Sequence, residues 1–186
     1  MRDLDLIKTF SDVRVGFSIN TLDEDFKNDM DGAVSIERRL KAMKTLHEAN
    51  IRTTCFISPI FPGITDVEEI VSRAREQCNL IWLENLNLRD SRNRGGIMDY
   101  IRKKHPKLLP LYQEIYQCGS RLYWEALDTG LRSYAKENGL GYARNDDTMQ
   151  LPFDAPPVMV NYFYHEEVRK SAKKKLANPI RPHNYK

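Results

Sequence analysis

The residues best suited to chemistry in this 186-residue chain are short-chain hydroxyls, amides and one arginine: Ser18, Asn20, Ser58, Asn85, Asn87 and Arg89. Hydroxyl and amide groups both donate and accept, which suits sugar hydroxyls and the edge of a purine. Arg89 suits a carboxylate or a phosphate, which its guanidinium can meet with two bonds. Gly63 joins the set because a residue without a Cβ lets a ligand approach the backbone closely. Each has an ordinary reading as well. Ser and Asn cap strand ends and turns, Gly63 serves as a turn residue, and Asp66 complements a helix dipole. Arg89, Arg92 and Arg94 belong on that reading to a polar loop in solvent, and for Arg92 and Arg94 it is the preferred one.

Metal and thiol chemistry find less support. Cys55, Cys78 and Cys118 are three in number and far apart, which argues against a disulfide framework, a zinc knuckle or an iron–sulfur site within this chain. Each reads as a small buried hydrophobe. His165 stands beside Glu166 and Glu167, but adjacent strand residues point to opposite faces, so no metal cluster is expected there. His47 and His105 read as a rim residue and a helix end. Tyr112, Tyr116, Tyr123, Trp124 and Tyr134 recur at helical spacing, as core residues do.

The polar positions follow from the elements around them. Val13, Val15, Phe17 and Ile19 alternate with other residues over Val13–Asn20, the period of a strand. Ile36, Leu40, Met43 and Leu46 share one helix face, with Ser35 as the expected cap and Asn50 as the stop. A second strand spans Arg52–Ile60. Thr65 and Glu68 then form a capping-box pattern ahead of Val67, Ile70, Val71 and Ala74. A third strand runs from Leu80 to Leu86. This alternation predicts right-handed βα units and a parallel sheet, with ligands beyond the carboxyl ends of the strands. The candidate residues all lie there.

Beyond residue 96 the pattern turns helical. Short helices are predicted over Ile97–His105 and Lys107–Tyr116, and a longer one over Arg121–Asn138 with Gly139 as its stop. Asp154–Pro157 marks a turn, and Val158–Tyr164 a short β-type run. The chain thus reads as one domain: parallel βα units over 1–96, a helical extension over 97–168, and a flexible basic tail over 169–186. Three βα units are less than half of a closed eight-stranded barrel, so a partial barrel belonging to something larger is expected.

The composition is that of a soluble globular chain, 41% hydrophobic and 30% charged. No run reaches the roughly 18 apolar residues of a membrane span, and Met1–Phe10 lacks the features of a signal peptide, so a cytoplasmic protein with no membrane partner is expected. The net charge of +3 is uneven: seven basic groups and no acid lie at 169–186, leaving 22 basic and 26 acidic residues elsewhere. A solvated tail is one reading. A nucleic-acid-binding or interaction module using that tail is the alternative function. A phosphate-binding α/β protein of the glycine-loop kind lacks its loop.

Val15-Gly-Phe-Ser-Ile-Asn-Thr-Leu-Asp-Glu24, the run from Arg38 to Ile51, and Ser58-Pro-Ile-Phe-Pro-Gly-Ile-Thr-Asp66 resemble the later barrel strands of radical S-adenosylmethionine proteins. The branch they resemble is similar to spore photoproduct lyase, a DNA-repair photolyase-like group. Tyr142-Ala-Arg-Asn-Asp-Asp147, Pro152-Phe-Asp-Ala-Pro-Pro157 and Asn161-Tyr-Phe-Tyr-His165 resemble its later part. The resemblance implies a partial barrel of six βα units, with a Cys-x3-Cys-x2-Cys loop holding a [4Fe–4S] cluster that binds S-adenosylmethionine. Here the strands resemble the fourth, fifth and sixth, and Arg2–Ile7 resembles the helix leading into the fourth. The cysteine loop has no counterpart in these residues.

What the resemblance implies for single residues is a cofactor-facing set. Ser18 and Asn20 fall at ribose or methionyl contacts, and Ser58 at the end of the next strand. Gly63 matches the second glycine of a Gly-x-Ile-x-Gly-x-x-Glu pattern, with Asp66 in place of its acid. Asn85 and Asn87 fall at adenine-edge contacts and Arg89 at a substrate contact. The expected partner is a missing N-terminal barrel half, or a second copy meeting the bare edge of the first strand. The chain's own Val158–Tyr164 is a third way to cover that edge.

Overall fold

The computed structural model describes residues 3–89, 91–144 and 155–163. Its centre is a five-stranded sheet, every neighbouring pair parallel, in the order β1 (Arg14–Ser18), β2 (Arg52–Ile60), β3 (Leu80–Asn85), β5 (Val158–Asn161), β4 (Gly141–Arg144). Helix α1 (Leu4–Ile7) precedes β1; α2 (Glu24–Met30) and α3 (Ile36–Glu48) join β1 to β2; α4 (Val67–Ala74) joins β2 to β3. After β3 come α5 (Ser91–Lys104), a 3-10 turn (Pro106–Leu108), α6 (Leu109–Tyr116) and α7 (Leu122–Glu137). This is the α/β arrangement of a partial TIM-type barrel.

The periodicities translate directly into faces. Ile36, Leu40, Met43 and Leu46 of α3, with Val67, Ile70, Val71 and Ala74 of α4, are buried. Much of that stripe, with Leu131 and Ala135 of α7, closes over Cys55, Ile57, Ile81, Leu83 and Met159 of the sheet. The opposite face carries the intervening residues, Phe56, Trp82 and Tyr162. Trp82 packs against Phe56 at 5.0 Å between ring centroids and stacks on Tyr162 at 4.3 Å. A second cluster, Phe26, Phe61, Leu86, Leu88, Met98, Ile101 and Tyr112, ties α2, the turn after β2 and the segment after β3 to α5 and α6.

Several sequence expectations need correction. Ser35 makes no side-chain cap bond; the N–H of Ile36 donates instead to Glu24 Oε1 of α2 at 2.6 Å. Thr65 does not cap α4. Asp66 does, its carboxylate accepting from the N–H of Glu69 at 2.9 Å. Thr65 is drawn inward: its hydroxyl accepts from the N–H of Phe61 and donates to the carbonyl of Asn20. The strand at Val158–Asn161 does not cover β1. It lies between β3 and β4, and β4 is a strand that the sequence pattern did not suggest. Asn50 does end α3, with φ +61°, and Gly139 ends α7 with φ +67°. Asp154, Tyr164, His165 and the basic tail lie outside the described residues.

The last two strands are locked to α7 by a buried polar cluster. Tyr142 donates to Asp128 Oδ1 at 2.6 Å, the Asn161 amide meets the same oxygen, and Arg132 approaches the second oxygen at 3.6 Å. Asn161 Oδ1 accepts from the N–H of Phe163 at 2.7 Å. A hydrogen bond to a buried carboxylate contributes about 1.5–3 kcal/mol. Tyr142→Phe should therefore lower the urea-unfolding free energy by about 1.5–3 kcal/mol, with the midpoint moving and the m-value unchanged. An unchanged midpoint would mean that this cluster does not hold the C-terminal strands.

Candidate functional site

The carboxyl ends of β1, β2 and β3 open into one cavity of about 750 Å3. Ser18 and Asn20 line it from the end of β1, Ser58 and Pro59 from β2, and Glu84, Asn85 and Asn87 from β3 and the segment after it. Met30 and Asp31 of the α2–α3 connection and Gly96 and Ile97 of α5 complete the rim. Five of the seven residues singled out in the sequence thus share one wall: Ser18, Asn20, Ser58, Asn85 and Asn87. The β2–β3 register shifts between Ile57 and Ile60, and within that irregularity the Ser58 hydroxyl donates to Glu84 Oε2 at 2.7 Å.

Two of the seven residues lie elsewhere. Arg89 lines a second, smaller cavity that shares Asn85 and Asn87 with the first. Gly63 is not among the lining residues of either. It sits in the turn after β2 with φ +70°, its N–H donating to the Tyr123 hydroxyl at 3.1 Å. A Cβ built there would stand 2.8 Å from Leu108 Cδ2. The requirement for glycine is met by turn geometry and packing against the helices after β3.

Sequence reading missed Arg39, Asp31 and Glu84. Arg39 is buried and lines the larger cavity. Its Nε donates to the carbonyl of Val34, one terminal nitrogen donates to the carbonyl of Ser18 at 2.9 Å, and the other meets both oxygens of Asp31. The signal was present: Arg39 falls three residues after Ile36 and four before Met43, on the apolar stripe of its own helix. A cation there must be paired. Glu84 carried the same kind of signal, an acid inside the apolar run Leu80–Leu86, on the face of Trp82.

Burial pushes the Asp31 carboxyl up, but the N–H of Ala33 and the charges of Arg39 and Lys27 outweigh that, and its pKa falls below the ordinary value. A carboxyl depressed in the folded state adds stability above its unfolded pKa, near 4, and loses it as pH falls through the folded value.

The donor set of the larger cavity, hydroxyls and amides with one carboxylate and one guanidinium, suits a ligand rich in sugar hydroxyls and amines. It does not suit an iron–sulfur cluster. Burial raises the Cys78 thiol to about 12 and pushes Cys55 up as well; both stand on the helix-covered side of the sheet, while Cys118 is exposed beyond α6. Among the described residues no group of three or more His, Cys, Asp or Glu side chains could hold a metal ion. Nor is any described helix long and apolar enough to cross a membrane.

Two outcomes test this geometry. Gly63→Ala should cost about 1–2 kcal/mol, the cost of a left-handed conformation for a residue with a Cβ, read from the thermal midpoint. Asp31→Asn should flatten the fall in stability of the wild-type chain as pH drops below about 4, measured by urea titration across that range. A parallel fall in both proteins would remove Asp31 as the source.

An uncharacterized protein of Methanocaldococcus jannaschii is 38% identical over 108 residues, which is 58% of this chain and 40% of that protein. The chain thus spans well under half of that relative's length. No solved structure matches the chain. The family match falls on the part that carries β1, β2 and the Ser18, Asn20, Arg39 and Ser58 side of the cavity: residues 1–74 match the Radical SAM superfamily.

Proposed function

We propose that this chain supplies strands four to six of a radical S-adenosylmethionine enzyme, in the lyase-like branch similar to spore photoproduct lyase, and with them part of the cofactor and substrate pocket. The observation that carries this reading is the cavity of hydroxyls and amides beyond the strand ends, half of whose wall lies within the residues matched by the Radical SAM superfamily. When bound, S-adenosylmethionine supplies the adenosyl group that radical chemistry uses. Ser18 and Asn20 hold its ribose or methionyl part, Asn85 and Asn87 face the adenine edge, and Ser58 is oriented for the same ligand by Glu84. Arg39 keeps the end of β1 in place, so it acts as a positioning residue.

The cysteines that would hold the [4Fe–4S] cluster are absent from this sequence in the family's spacing, and we place them on polypeptide outside these 186 residues. The chain alone then binds the cofactor without cleaving it. Calorimetric titration with S-adenosylmethionine should give saturable binding, weakened at least about fivefold by Asn85→Ala, a loss of about 1 kcal/mol as for one hydrogen bond. Absence of saturable binding would overturn the pocket assignment. Anaerobic reconstitution with iron and sulfide should leave the chain without a stoichiometric cluster. A [4Fe–4S] spectrum with 5′-deoxyadenosine release would overturn the division of labour.

The sheet supports a partner. β1 pairs with β2 on one side and with no described strand on the other. Val15 and Phe17 there are half-buried. A parallel edge with no described strand beside it is suited to pairing with another chain. In the isolated protein that chain is a second copy, and in the assembled enzyme it is the cluster-bearing half. Sedimentation velocity over a range of concentrations should show reversible association, reduced by Phe17→Lys in a variant whose circular dichroism is unchanged. A monomer at every concentration would remove the edge as an interface.

A further inference from the structure

Helix α5 carries Gly95 and Gly96 side by side in its interior, and nothing in the described fold asks for either. Glycine is among the least helix-favouring residues, because it has the most backbone freedom to lose. Neither residue has the positive φ that marks Gly63, Gly119 and Gly139. A Cβ built at either one meets no atom within 4 Å among the described residues, so close packing does not require glycine there. The two differ in one respect: Gly96 lines the larger cavity, and Gly95 does not.

The helix around them is held in place. Arg94 was expected in solvent with Arg92, whose side chain lies outside what the structure describes. Instead Arg94 is half-buried, its Nε donating to the carbonyl of Leu88 at 2.7 Å. One turn beyond Gly96, on the same side of the helix, the Tyr100 hydroxyl donates to Asp29 Oδ2 of α2 at 2.9 Å. Met98 and Ile101 are buried in the second cluster. Helix α5 is thus anchored on both sides of the glycine pair, and the gap between Gly96 and the strand ends is set by contacts that do not involve Gly96.

The lining of that gap is of two kinds. Ser18, Asn20, Ser58 and Asn87 supply hydroxyls and amides, whereas the rim at Met30, Gly96 and Ile97 presents no polar side chain. Asn87 Oδ1 is taken by the N–H of Arg89, so the amide nitrogen is the part of Asn87 that remains to donate. A purine matches such a lining, with ring nitrogens that accept along its edge and two apolar faces. We infer that Gly96 is a ligand contact: the face of the adenine ring of S-adenosylmethionine lies on bare helix backbone at Gly96, between Met30 and Ile97, and its edge accepts from the Asn87 amide. This rests on the S-adenosylmethionine reading of the cavity. Glycine lets the ring reach the helix surface with no Cβ between them. The Met30 thioether, polarizable and adaptable, packs well at a ring edge. A larger residue at position 96 would project into the cavity and hold the ring away from both. Gly95 lies outside the cavity lining, and nothing in the structure explains it.

The test compares Gly95→Ala with Gly96→Ala in the full 186-residue chain. Alanine favours a helix, so each substitution should raise the thermal midpoint by about 2–4 °C. In calorimetric titration Gly95→Ala should bind S-adenosylmethionine within about twofold of the wild type. Gly96→Ala should bind it at least about fivefold more weakly, as for a methyl group forced into a packed contact. Adenosine, which keeps the ring and lacks the methionyl part, should be weakened by the same factor. Equal affinities in the two variants would overturn the contact: no loss means that nothing packs on Gly96, and equal loss means that helix stiffness, not the added methyl, is responsible. A lowered midpoint for Gly96→Ala would also overturn it, since the fold itself would then need the glycine. Weakened S-adenosylmethionine with adenosine unmoved, or unbound by the wild type, would overturn the ring assignment. A wild-type chain that binds neither ligand removes the cofactor reading and this inference together, whereas wild-type binding with Gly96→Ala unaffected removes the inference alone.

Discussion

A guanidinium on the apolar stripe of α3 is the constraint that organises the carboxyl end of this sheet. An unpaired buried charge costs several kcal/mol, so Arg39 must be met by acceptors from whatever packs around it. It gathers three: the carbonyl of Ser18 at the end of β1, the carbonyl of Val34 before its own helix, and the carboxylate of Asp31 after α2. These bonds set where β1 stops and how the α2–α3 connection folds back over it. The hydroxyl of Thr65 does the equivalent job one strand along, joining the carbonyl of Asn20 to the turn after β2. Together the two side chains align the strand ends, and the cavity is what remains between them.

The caps show how local rules yield to tertiary ones. Thr65 and Glu68 satisfy the capping-box pattern, yet the Thr65 hydroxyl is used inside, bridging the N–H of Phe61 and the carbonyl of Asn20. Asp66, next in sequence, can then cap α4 from the solvent side. Similarly, Ser35 is spared because Glu24 reaches the first N–H of α3 from a neighbouring helix. Either side chain satisfies the helix; the choice is decided by what else needs an acceptor.

Strands β1 to β3 were legible because each carries alternation or a continuous apolar run of strand length between turn residues. Strand β4 was not, because Gly141–Arg144 is four residues with no period to read. Its place depends on β5 arriving beside it, where Gly141 lies against Val158, its Cβ position only 2.7 Å from a Val158 methyl. Such an edge is defined by its partner and not by its own residues. Ser18, Asn20 and Ser58 were legible as cavity residues for a topological reason, since ligands sit beyond parallel strand ends. Arg39 and Glu84 were legible only as anomalies, charges where the pattern calls for apolar groups. Treating such anomalies as noise hides the residues that the site is built around.

The segment after β3 carries strand-like alternation past the last strand residue, and that explains how one stretch of chain serves two cavities. Leu86 and Leu88 are buried in the cluster formed with α2, α5 and α6, while Asn85 and Asn87 line both cavities. The leucines anchor the segment, and side-chain bonds from the helices after β3 hold its backbone: the Tyr116 hydroxyl donates to the carbonyl of Leu86, and Arg94 to that of Leu88. The amide of Asn87 closes the turn by accepting from the N–H of Arg89 at 3.0 Å. A wall pinned from below and from one side has little freedom to shift toward either cavity. Its two sides differ in charge, Arg39 with Asp31 and Glu84 on the larger cavity against three arginines and Glu84 on the smaller.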